Sequence, residues 1–392
     1  MQPDAAHDTT GKDNGRHVLM ITRGSSIALN RRTWQQAREL VKNGYTVAVI
    51  SPKSDPKSTS SETVEGVRCF RYQPPFEGQG VIGGAITALA ALIWEFLLTA
   101  RIFFMMGIGV IQICCPPQSI SLVGAFFKIF FNKKVILDQR SVAPSLSEYE
   151  RLGYWAADAC IAANAEVAKS MQSRGELVAE RIFIAPTGAF NADASPSSKK
   201  AGKFLIGFSG GAENDDAGKH FIAIARFIVH ELKRRDVKFI ICAYGTALTS
   251  LKKLAALEGV ADQVSFSVVS TEEELSKTIS GCDACAETSL GAGSEHSAGR
   301  IMDYMACGRP VVQFDTPGAR ALSAEASLYA EPGNMEDFAD KLMTLLDDPA
   351  IRSRMSAEGL ARAQQSLSWA HAAPQLLAAY DTVFTIVEKK SR

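Results

Sequence analysis

The chain of 392 residues is long enough for two domains, since a typical domain holds about 100–200 residues. Hydrophobic residues make up 46% of it, which is enough to build full hydrophobic cores. It carries 42 Lys+Arg and 42 Asp+Glu, so its formal net charge is zero. This balance argues against a general nucleic-acid-binding protein, because such proteins need a net basic surface.

The first residues and the cysteines indicate the compartment. Residues 1–16 are polar and lack the apolar core of a signal peptide, so we expect a disordered tail. Most of the eight cysteines lie in apolar runs, as buried free thiols do, and we expect a reducing, cytosolic compartment. Cys282 and Cys285 have the spacing of a zinc or redox pair, but no second pair lies nearby, which favours a structural role.

Alternating strands and helices follow the tail. His17–Thr22 is an apolar run typical of a buried strand, Arg31–Lys42 is predicted to be a helix, and Thr46–Ile50 is predicted to be the next strand. Such a β–α–β unit implies parallel strands. Further strands are predicted at Val110–Cys114, Lys134–Leu137, Ala159–Ala162 and Arg181–Ala185.

A strongly apolar stretch, Gly83–Met106, interrupts this pattern. It contains Glu95 and Arg101, each of which would cost roughly 2.5–3.5 kcal/mol near a bilayer centre, so we do not expect a spanning helix. The favoured interpretation is a buried helix of the first domain, and the alternative is a helix lying in the membrane interface. Phe126–Lys134 adds aromatic residues beside cations, which suits either a core helix or an anionic membrane surface.

A second alternating region follows a Ser-, Ala-, Lys- and Pro-rich linker at 191–203. Its predicted elements are strands at Phe204–Ser209, Lys238–Ala243, Val264–Ser267 and Ala284–Glu287, with helices at Lys219–Arg234 and Ala247–Glu258. Two doubly wound units bind ligands beyond the carboxyl ends of their strands, which here predicts a site between the lobes. Neither unit has a Gly-x-Gly-x-x-Gly motif after its first strand or a P-loop, which argues against a nicotinamide dehydrogenase and a P-loop nucleotidase.

The segment from Ser294 to Asp315 carries the chemistry. Ser297 is a suitable N-cap, Gly308 a suitable C-terminal cap, and Val311–Phe314 a buried strand, so a short helix is predicted to begin near Ser297. The first turn of this helix offers unpaired N–H groups that suit a diphosphate, and Arg300 lies within that turn. Glu295 and Asp303 could accept hydrogen bonds from sugar hydroxyls, which a site for phosphate alone would not need.

From about His17 to Tyr380 the chain resembles a family 4 glycosyltransferase, a retaining, nucleotide-sugar-dependent enzyme of the GT-B fold. The segment Ile301–Pro310 is similar to that family's IMEYMA-x-GKP motif, and Glu295 with Asp303 is similar to its E-x7-E pattern. Weaker similarities lie at Asp138–Pro144, Glu180–Gly188, Ser327–Pro332, Leu345–Pro349 and Leu367–Trp369. The resemblance implies two Rossmann-like domains that face a central cleft.

It also implies a domain plan and a function. The N-terminal, acceptor-side domain would span 17–190, the nucleotide-sugar domain 204–370, and a helix at 371–392 would pack back on the first domain. The enzyme would transfer a sugar to a glycan or polyprenyl-linked acceptor in cell-surface polysaccharide synthesis, without a catalytic metal or cofactor. We expect it in the cytoplasm, peripherally bound to the membrane.

The resemblance assigns roles to individual residues. Asp303 would hold the ribose, Glu295 would lie by the donor sugar, and the helix start at Ser297, Ala298 and Gly299 would bind the leaving diphosphate with Arg300. The loop after the first strand of the second domain would contribute Gly210, Gly211 and Lys219. Arg140 is not a residue of the family pattern but is a candidate for the catalytic cation, and the alternative is a solvated arginine at a strand end.

This chain departs from the family at two places. Arg140-Ser141 stands where the family has His-Asp, and the loop Glu213–Asp216 is acidic where the family has Arg and Lys. Two alternatives therefore stay open, a catalytically degenerate member that acts as a binding protein and a nucleotide-sugar epimerase of the same fold.

Overall fold

The computed structural model describes residues 16–23, 30–53, 59–73, 80–142, 145–189, 203–210, 216–243, 247–269, 272–290 and 295–390. Within these ranges the side chains of 80–82, 247, 295–296 and 386–390 are not described. The predicted tail and linker lie outside the described residues, apart from Arg16 and Lys203. The chain divides into two compact units, Met1–Pro186 with Ala373–Arg392, and Thr187–Ala372.

The first unit contains an eight-stranded sheet with the order β3-β4-β2-β1-β5-β6-β7-β8. Its strands are β1 His17–Ile21, β2 Thr46–Pro52, β3 Ser61–Val64, β4 Val67–Tyr72, β5 Val110–Cys115, β6 Lys134–Gln139, β7 Ala159–Ala162 and β8 Ile182–Ile184. Its helices are α1 Arg31–Lys42, α2 Gly80–Met106, α3 Ser121–Phe131, α4 Glu148–Ala156 and α5 Ala165–Gly175. Strands β1, β2, β5, β6, β7 and β8 are parallel. All of them except the edge strand β8 are almost wholly buried, as apolar runs covered by helices on both faces should be.

One feature of this unit was missed by the sequence reasoning. Strands β3 and β4 form an antiparallel hairpin at the sheet edge, joined by Glu65 and Gly66, which have φ values of 49° and 81°. Positive φ at both central residues is the geometry of the tight turns that suit the twist of a hairpin.

Helix α2 corrects the favoured interpretation of the apolar stretch as a buried helix. One side packs on β1, β2 and β4, but the other exposes large apolar side chains, including Phe104, which is 78% exposed. The exposed apolar residues of α2 and the adjoining α3 are Ile86, Leu89, Ile93, Trp94, Leu97, Phe104, Met105, Leu122, Ile129, Phe130 and Phe131, which we call the α2–α3 apolar surface. Edge-to-face contacts such as Phe96 with Phe126 join the two helices. By length and composition, Gly83–Met106 could cross a membrane.

The acidic residue of α2, Glu95, faces the sheet. Glu95 is fully buried and its carboxylate accepts hydrogen bonds from Arg23, which follows β1, and from the hydroxyl of Tyr72 on β4. Burial raises the pKa of Glu95 despite the Arg23 partner. This buried ion pair fixes which side of α2 faces the sheet.

The second unit contains a six-stranded sheet with the order β11-β10-β9-β12-β13-β14. Its strands are β9 Phe204–Ser209, β10 Val237–Ala243, β11 Val264–Val268, β12 Ala284–Glu287, β13 Val311–Phe314 and β14 Ser327–Ala330, all parallel. Its helices are α6 Ala217–Arg226, α7 Ala247–Leu257, α8 Glu272–Ser280, α9 Glu295–Ala306, α10 Pro317–Ser323, α11 Met335–Asp347 and α12 Pro349–Gln365. The predicted helix Lys219–Arg234 is shorter as an α-helix, because a π-helical turn at Phe227–Glu231 follows it.

The last helix, α13 Trp369–Lys390, begins in the second unit and ends in the first. Its Tyr380 is fully buried within the first unit, where the hydroxyl donates a hydrogen bond to Gln112 of β5. Gln112 in turn donates to Gln36 of α1, which contacts Asp138 at the end of β6. The segment after 373 is thus part of the first unit's buried polar network.

Candidate functional site

The candidate site lies in the second unit, where the strand order reverses. Strand β9 is followed along the sheet by β10 and β11 on one side and by β12, β13 and β14 on the other. Such a switch point leaves a crevice beyond the carboxyl ends of the two central strands, and ligands of doubly wound folds bind there. Ser209 and Gly210 end β9, and Glu287 ends β12.

A buried tyrosine fixes the end of β9. The hydroxyl oxygen of Tyr304, on α9, accepts a hydrogen bond from the backbone N–H of Ser209 at 2.8 Å and lies 3.1 Å from the Ser209 hydroxyl. Burial and the nearby carboxylate of Glu287 hold the pKa of Tyr304 well above its usual value, so it remains a neutral hydroxyl. Helix α9 is therefore tied to the strand that it covers.

A buried ion pair links the end of β12 to the first turns of α9. Arg300 donates from Nε to Glu287 Oε2 at 2.6 Å and from Nη2 to Glu287 Oε1 at 2.8 Å. Nη2 also donates to the Ser289 hydroxyl, and the Glu287 side chain is only 2% exposed. Arg300, predicted to bind the donor, thus has its guanidinium engaged by a carboxylate within the protein.

Helix α9 begins two residues earlier than predicted. Its first residue is Glu295, so Ser297 lies within the first turn and is not the N-cap, and Glu295 is not in the preceding loop. The helix begins before the serine that was expected to cap it, because the residues from Glu295 to Ser297 adopt helical geometry. A helix end located from a cap signal alone has an error of one or two residues. The side chain of Glu295 lies outside the described residues.

The remaining predicted residues of this helix lie as follows. Ser297 is 8% exposed and Asp303, two turns on, is 3% exposed. Ala298 is half-buried, and a Cβ added to Gly299 would meet no atom within 4 Å. The first turn of α9 thus presents the positive end of the helix, with open space beside Gly299, and this arrangement favours anions. Because the helix begins at Glu295, the N–H of Gly299 already bonds to the carbonyl one turn earlier, so it does not bind the diphosphate as predicted. Gly308 has a φ of 64°, which confirms the predicted glycine cap, and β13 has the predicted bounds.

A small cavity of about 30 Å³ adjoins the first turn of α9. It lies between the start of α9, the ends of β12 and β13, and the start of α10, and its polar lining includes Glu287, Ser297, Gln313 and Thr316. Thr316 is the N-cap of α10, and its hydroxyl oxygen accepts from the backbone N–H of Ala319. The sequence reasoning placed Gln313 in a buried strand and gave neither it nor Glu287 a role.

The other predicted residues of this domain lie as follows. Lys219 is exposed on α6 and pairs with Asp216 at 2.8 Å, and this hydrogen bond lowers the pKa of Asp216. Gly210 directly follows β9 beside the Arg300 guanidinium, where an added Cβ would lie 2.6 Å from Phe208 and 3.4 Å from Arg300 Nη1, whereas Gly211 lies outside the described residues. His220 of α6 bonds through Nδ1 to the carbonyl of Thr288 just after β12.

Arg140 lies in the first unit, at the end of β6. Its Nη2 donates to the side-chain oxygen of Asn30, the N-cap of α1, and to the hydroxyl of Thr33. Its Nε is buried and has no hydrogen-bond partner among the residues that the structure describes. It is therefore not the freely solvated arginine that a strand end commonly carries.

All eight cysteines are free and buried, in agreement with their apolar sequence contexts. Cys282 and Cys285 pack in the core under α9, and burial raises the pKa of Cys285 well above its usual value. Among the described residues, no three His, Cys, Asp or Glu side chains are grouped so as to hold a metal ion. These observations favour the structural role for the Cys-x-x-Cys pair.

Residues 190–362 match the family model of glycosyl transferases group 1. The matched residues lie within the second unit. A curated relative, the alpha-D-kanosaminyltransferase of Streptomyces kanamyceticus, is 31% identical over 144 residues, which cover 35% of this chain and 36% of that protein. The chain thus matches about a third of the length of the first curated relatives.

Solved glycosyltransferase structures share the fold of the whole chain. Sucrose-phosphate synthase from Thermosynechococcus elongatus covers 95% of this chain with a TM-score of 0.72 at 15% identity, and all of that protein is matched. HepE from Anabaena, solved in complex with UDP and glucose, covers 94% with a TM-score of 0.70 at 15% identity, again over its full length. The predicted fold class, GT-B with two doubly wound units, is confirmed.

Proposed function

We propose that this protein is a retaining, metal-independent glycosyltransferase that moves a sugar from a nucleotide sugar to a glycan or lipid-linked acceptor in cell-surface polysaccharide synthesis. The observation that carries the proposal is the first turn of α9, which lies at the switch point between β9 and β12 in the domain that matches the group 1 family. The UDP and glucose bound to the structurally similar HepE support a nucleotide-sugar donor.

The chain's own groups would act mainly by electrostatic stabilisation. Transfer breaks the bond between the anomeric carbon and a diphosphate oxygen and forms a bond from that carbon to an acceptor hydroxyl oxygen, whose proton passes to the departing diphosphate. Negative charge develops on the leaving diphosphate as its bond breaks, and the positive end of α9 would stabilise it there. Preorganised donors of this kind need no rearrangement during the reaction.

A thermal-shift panel of UDP-, GDP-, ADP- and TDP-sugars tests the donor. At a concentration 100 times its Kd, a ligand stabilises the folded state by about 2.7 kcal/mol, which for a unit of this size raises Tm by roughly 5–11 °C. We expect one nucleotide class to give such a shift and the same compound to support transfer of its sugar to a glycan or polyprenyl-phosphate-linked acceptor, with retained anomeric configuration. No shift with any member of the panel would overturn the proposal.

A degenerate, ligand-binding member of the family is the second candidate. The observation that favours it is that both cations predicted near the diphosphate are paired with carboxylates, Arg300 with Glu287 and Lys219 with Asp216. The same panel separates the two candidates, because a clear thermal shift with no turnover on any acceptor would establish binding without catalysis.

We further propose that the first unit docks on the cytoplasmic face of an anionic membrane through the α2–α3 apolar surface. Monomeric soluble proteins rarely expose an apolar patch with this many large side chains, and such patches mark protein or membrane contacts. Helix α2 packs one face on the sheet through the Arg23–Glu95 pair, which favours a helix lying in the interface over one that leaves the protein to span the bilayer.

The charges beside this surface favour binding to anionic lipids. Within α2 and α3 the acidic residue Glu95 is buried, whereas Arg101 is exposed and Lys133, just after α3, lies with its ammonium 5.0 Å from the Phe103 ring centroid. Basic residues near an anionic bilayer contribute roughly 1 kcal/mol each. An apolar surface bordered by cations is complementary to anionic phospholipids.

Vesicle flotation tests this docking. We expect the protein to float with vesicles that contain anionic phosphatidylglycerol and to bind neutral phosphatidylcholine vesicles more weakly. The double variant Phe104→Ser/Phe130→Ser should lose at least roughly tenfold in partitioning, because each phenyl ring contributes on the order of 1–2 kcal/mol when buried. The matched control is Leu257→Ser, since Leu257 is 84% exposed in the second unit and outside the surface.

Two outcomes would contradict interfacial docking. Equal flotation of the double variant and the control would show that the α2–α3 apolar surface is not the contact. Retention of the full chain in cell membranes through a carbonate wash would instead indicate a spanning helix.

A further inference from the structure

One buried amide in the candidate site has an unused hydrogen-bonding atom. Gln313 of β13 is 1% exposed, and its Nε2 donates to the hydroxyls of Ser323 at 2.9 Å and Ser327 at 2.8 Å. Within the described part of the chain, its Oε1 has no hydrogen-bond partner. Leaving a buried polar atom without a hydrogen bond is unfavourable, so this oxygen calls for a ligand or a water that donates to it.

Gln313 lines the cavity of about 30 Å³ beside α9. Ser323 and Ser327 are not part of that lining, so the amide nitrogen is bonded away from the cavity. A cavity of this size exceeds the 10–15 Å³ or so that one water needs, and it can receive a hydroxyl or hydroxymethyl group.

The polar lining of the cavity favours a neutral hydrogen-bond donor. Gln313 and Glu287, which line it, carry the acceptor oxygens, and the hydroxyl of Ser297 can donate or accept. The charge of Glu287 is balanced by its two bonds to Arg300, so the cavity has no unpaired charge to attract an ammonium group. A hydroxyl group fits these conditions.

The position of the cavity indicates whose hydroxyl enters it. Ser297 and Ala298 form part of its wall, and they lie in the helix turn to which the proposed function assigns the donor diphosphate. The anomeric carbon of the donor sugar is bonded directly to that diphosphate, so the sugar must lie next to this turn. The cavity is thus within reach of a substituent on the donor sugar.

We propose that this cavity is a specificity subsite in which Gln313 Oε1 accepts a hydrogen bond from one hydroxyl group of the donor sugar. The inference rests on the proposed function and adds the residue that distinguishes a donor with this hydroxyl from one that lacks it. Discrimination of this kind is effective because an analogue without the hydroxyl leaves the buried acceptor unpaired.

Calorimetry with UDP-glucose and GDP-mannose, and with monodeoxy analogues of the one that binds, tests the subsite. For the parent protein we expect one deoxy position to weaken binding about tenfold, the effect of one hydrogen bond to a buried acceptor. In Gln313→Met the intact donor should bind about as weakly as that analogue, the analogue should lose nothing further, and binding of the free nucleotide should not change.

The matched control is Ser327→Ala, which removes one partner of Nε2 and leaves Oε1 in place. It should keep the preference for the intact donor. If Gln313→Met fails to fold, the parent protein alone decides, because equal affinity for every monodeoxy analogue would overturn the subsite. An unchanged preference in Gln313→Met would also overturn it and indicate that a resident water satisfies Oε1. Failure of the parent to bind any sugar nucleotide would reject the proposed function itself, a result distinct from either of these.

Discussion

Replacing Arg300 by Met should strongly destabilise the second unit, because Met keeps the apolar stem but removes the cation that neutralises Glu287. Both oxygens of Glu287 bond to Arg300, at 2.6 and 2.8 Å, and the carboxylate side chain is 2% exposed. Breaking a buried pair by removing one partner costs about 3–5 kcal/mol. For a unit of this size, that corresponds to a fall in Tm of roughly 6–20 °C.

The double variant Arg300→Met/Glu287→Gln separates the cost of the lost pair from the cost of the stranded charge. Glutamine carries no charge and its oxygen can still accept from the backbone N–H of Ser289, as Glu287 does at 3.2 Å. In urea unfolding we therefore expect the double variant to recover more than half of the stability that Arg300→Met loses. The stability of Arg300→Lys should lie between those of the parent and Arg300→Met, because lysine keeps the charge but lacks the planar, two-point geometry.

The result that would refute this reasoning is a loss below about 1 kcal/mol in Arg300→Met, the value typical of an exposed pair. A double variant no more stable than the single variant would refute it equally. Calorimetry with free nucleotide on the same variants then determines the role of Arg300. If the double variant regains affinity for the nucleotide, Arg300 has a positioning role; if its affinity stays low, Arg300 contacts the diphosphate.

Three further predictions concern the carboxylates, metals and the edge hairpin. In calorimetry, Asp303→Ala should weaken binding of free nucleotide and nucleotide sugar alike by about 1.5–3 kcal/mol, while Asp303→Glu is tolerated. Glu295→Gln should lower turnover and leave nucleotide binding unchanged. Equal, small effects from all three variants would reject the assignment. Transfer activity should survive EDTA, and loss that a divalent cation restores would contradict metal independence. Gly66→Ala should lower the free energy of unfolding in urea by about 1–2 kcal/mol, because Gly66 has a φ of 81° and the new Cβ would lie 2.8 Å from Val41 Cγ1. The control is Gly84→Ala, at an open position within α2, which should not destabilise the protein.

Local sequence signals predicted the regular elements well. The helix Arg31–Lys42 and the strands Ala159–Ala162, Phe204–Ser209 and Val311–Phe314 have the predicted bounds, because an apolar run or a cap and a glycine mark each end. The edge hairpin was missed because β3 is almost entirely exposed and so has no apolar pattern to detect. Its one usable signal was Glu65-Gly66 between two valines.

The candidate site was predicted in outline and missed in detail. The helix that carries it follows from local caps and from a family motif, but the pairing of Arg300 with Glu287 depends on two residues that are 13 positions apart and meet only when α9 folds over β12. The role of Gln313 is equally hidden, since a glutamine inside an apolar strand gives no sign of which of its atoms will find partners.

The first unit is completed by residues that are synthesised after the whole of the second unit. Tyr380 and Phe384 of α13 pack against Tyr45, and Tyr380 also bonds to Gln112, so the core that starts at β1 closes only when α13 has been made. The second unit, in contrast, is one uninterrupted stretch, Thr187–Ala372, and can fold as soon as it has been synthesised. During translation the apolar helices α2 and α3 therefore belong to an incomplete core until α13 has been made. In that period a membrane or a chaperone can bind them.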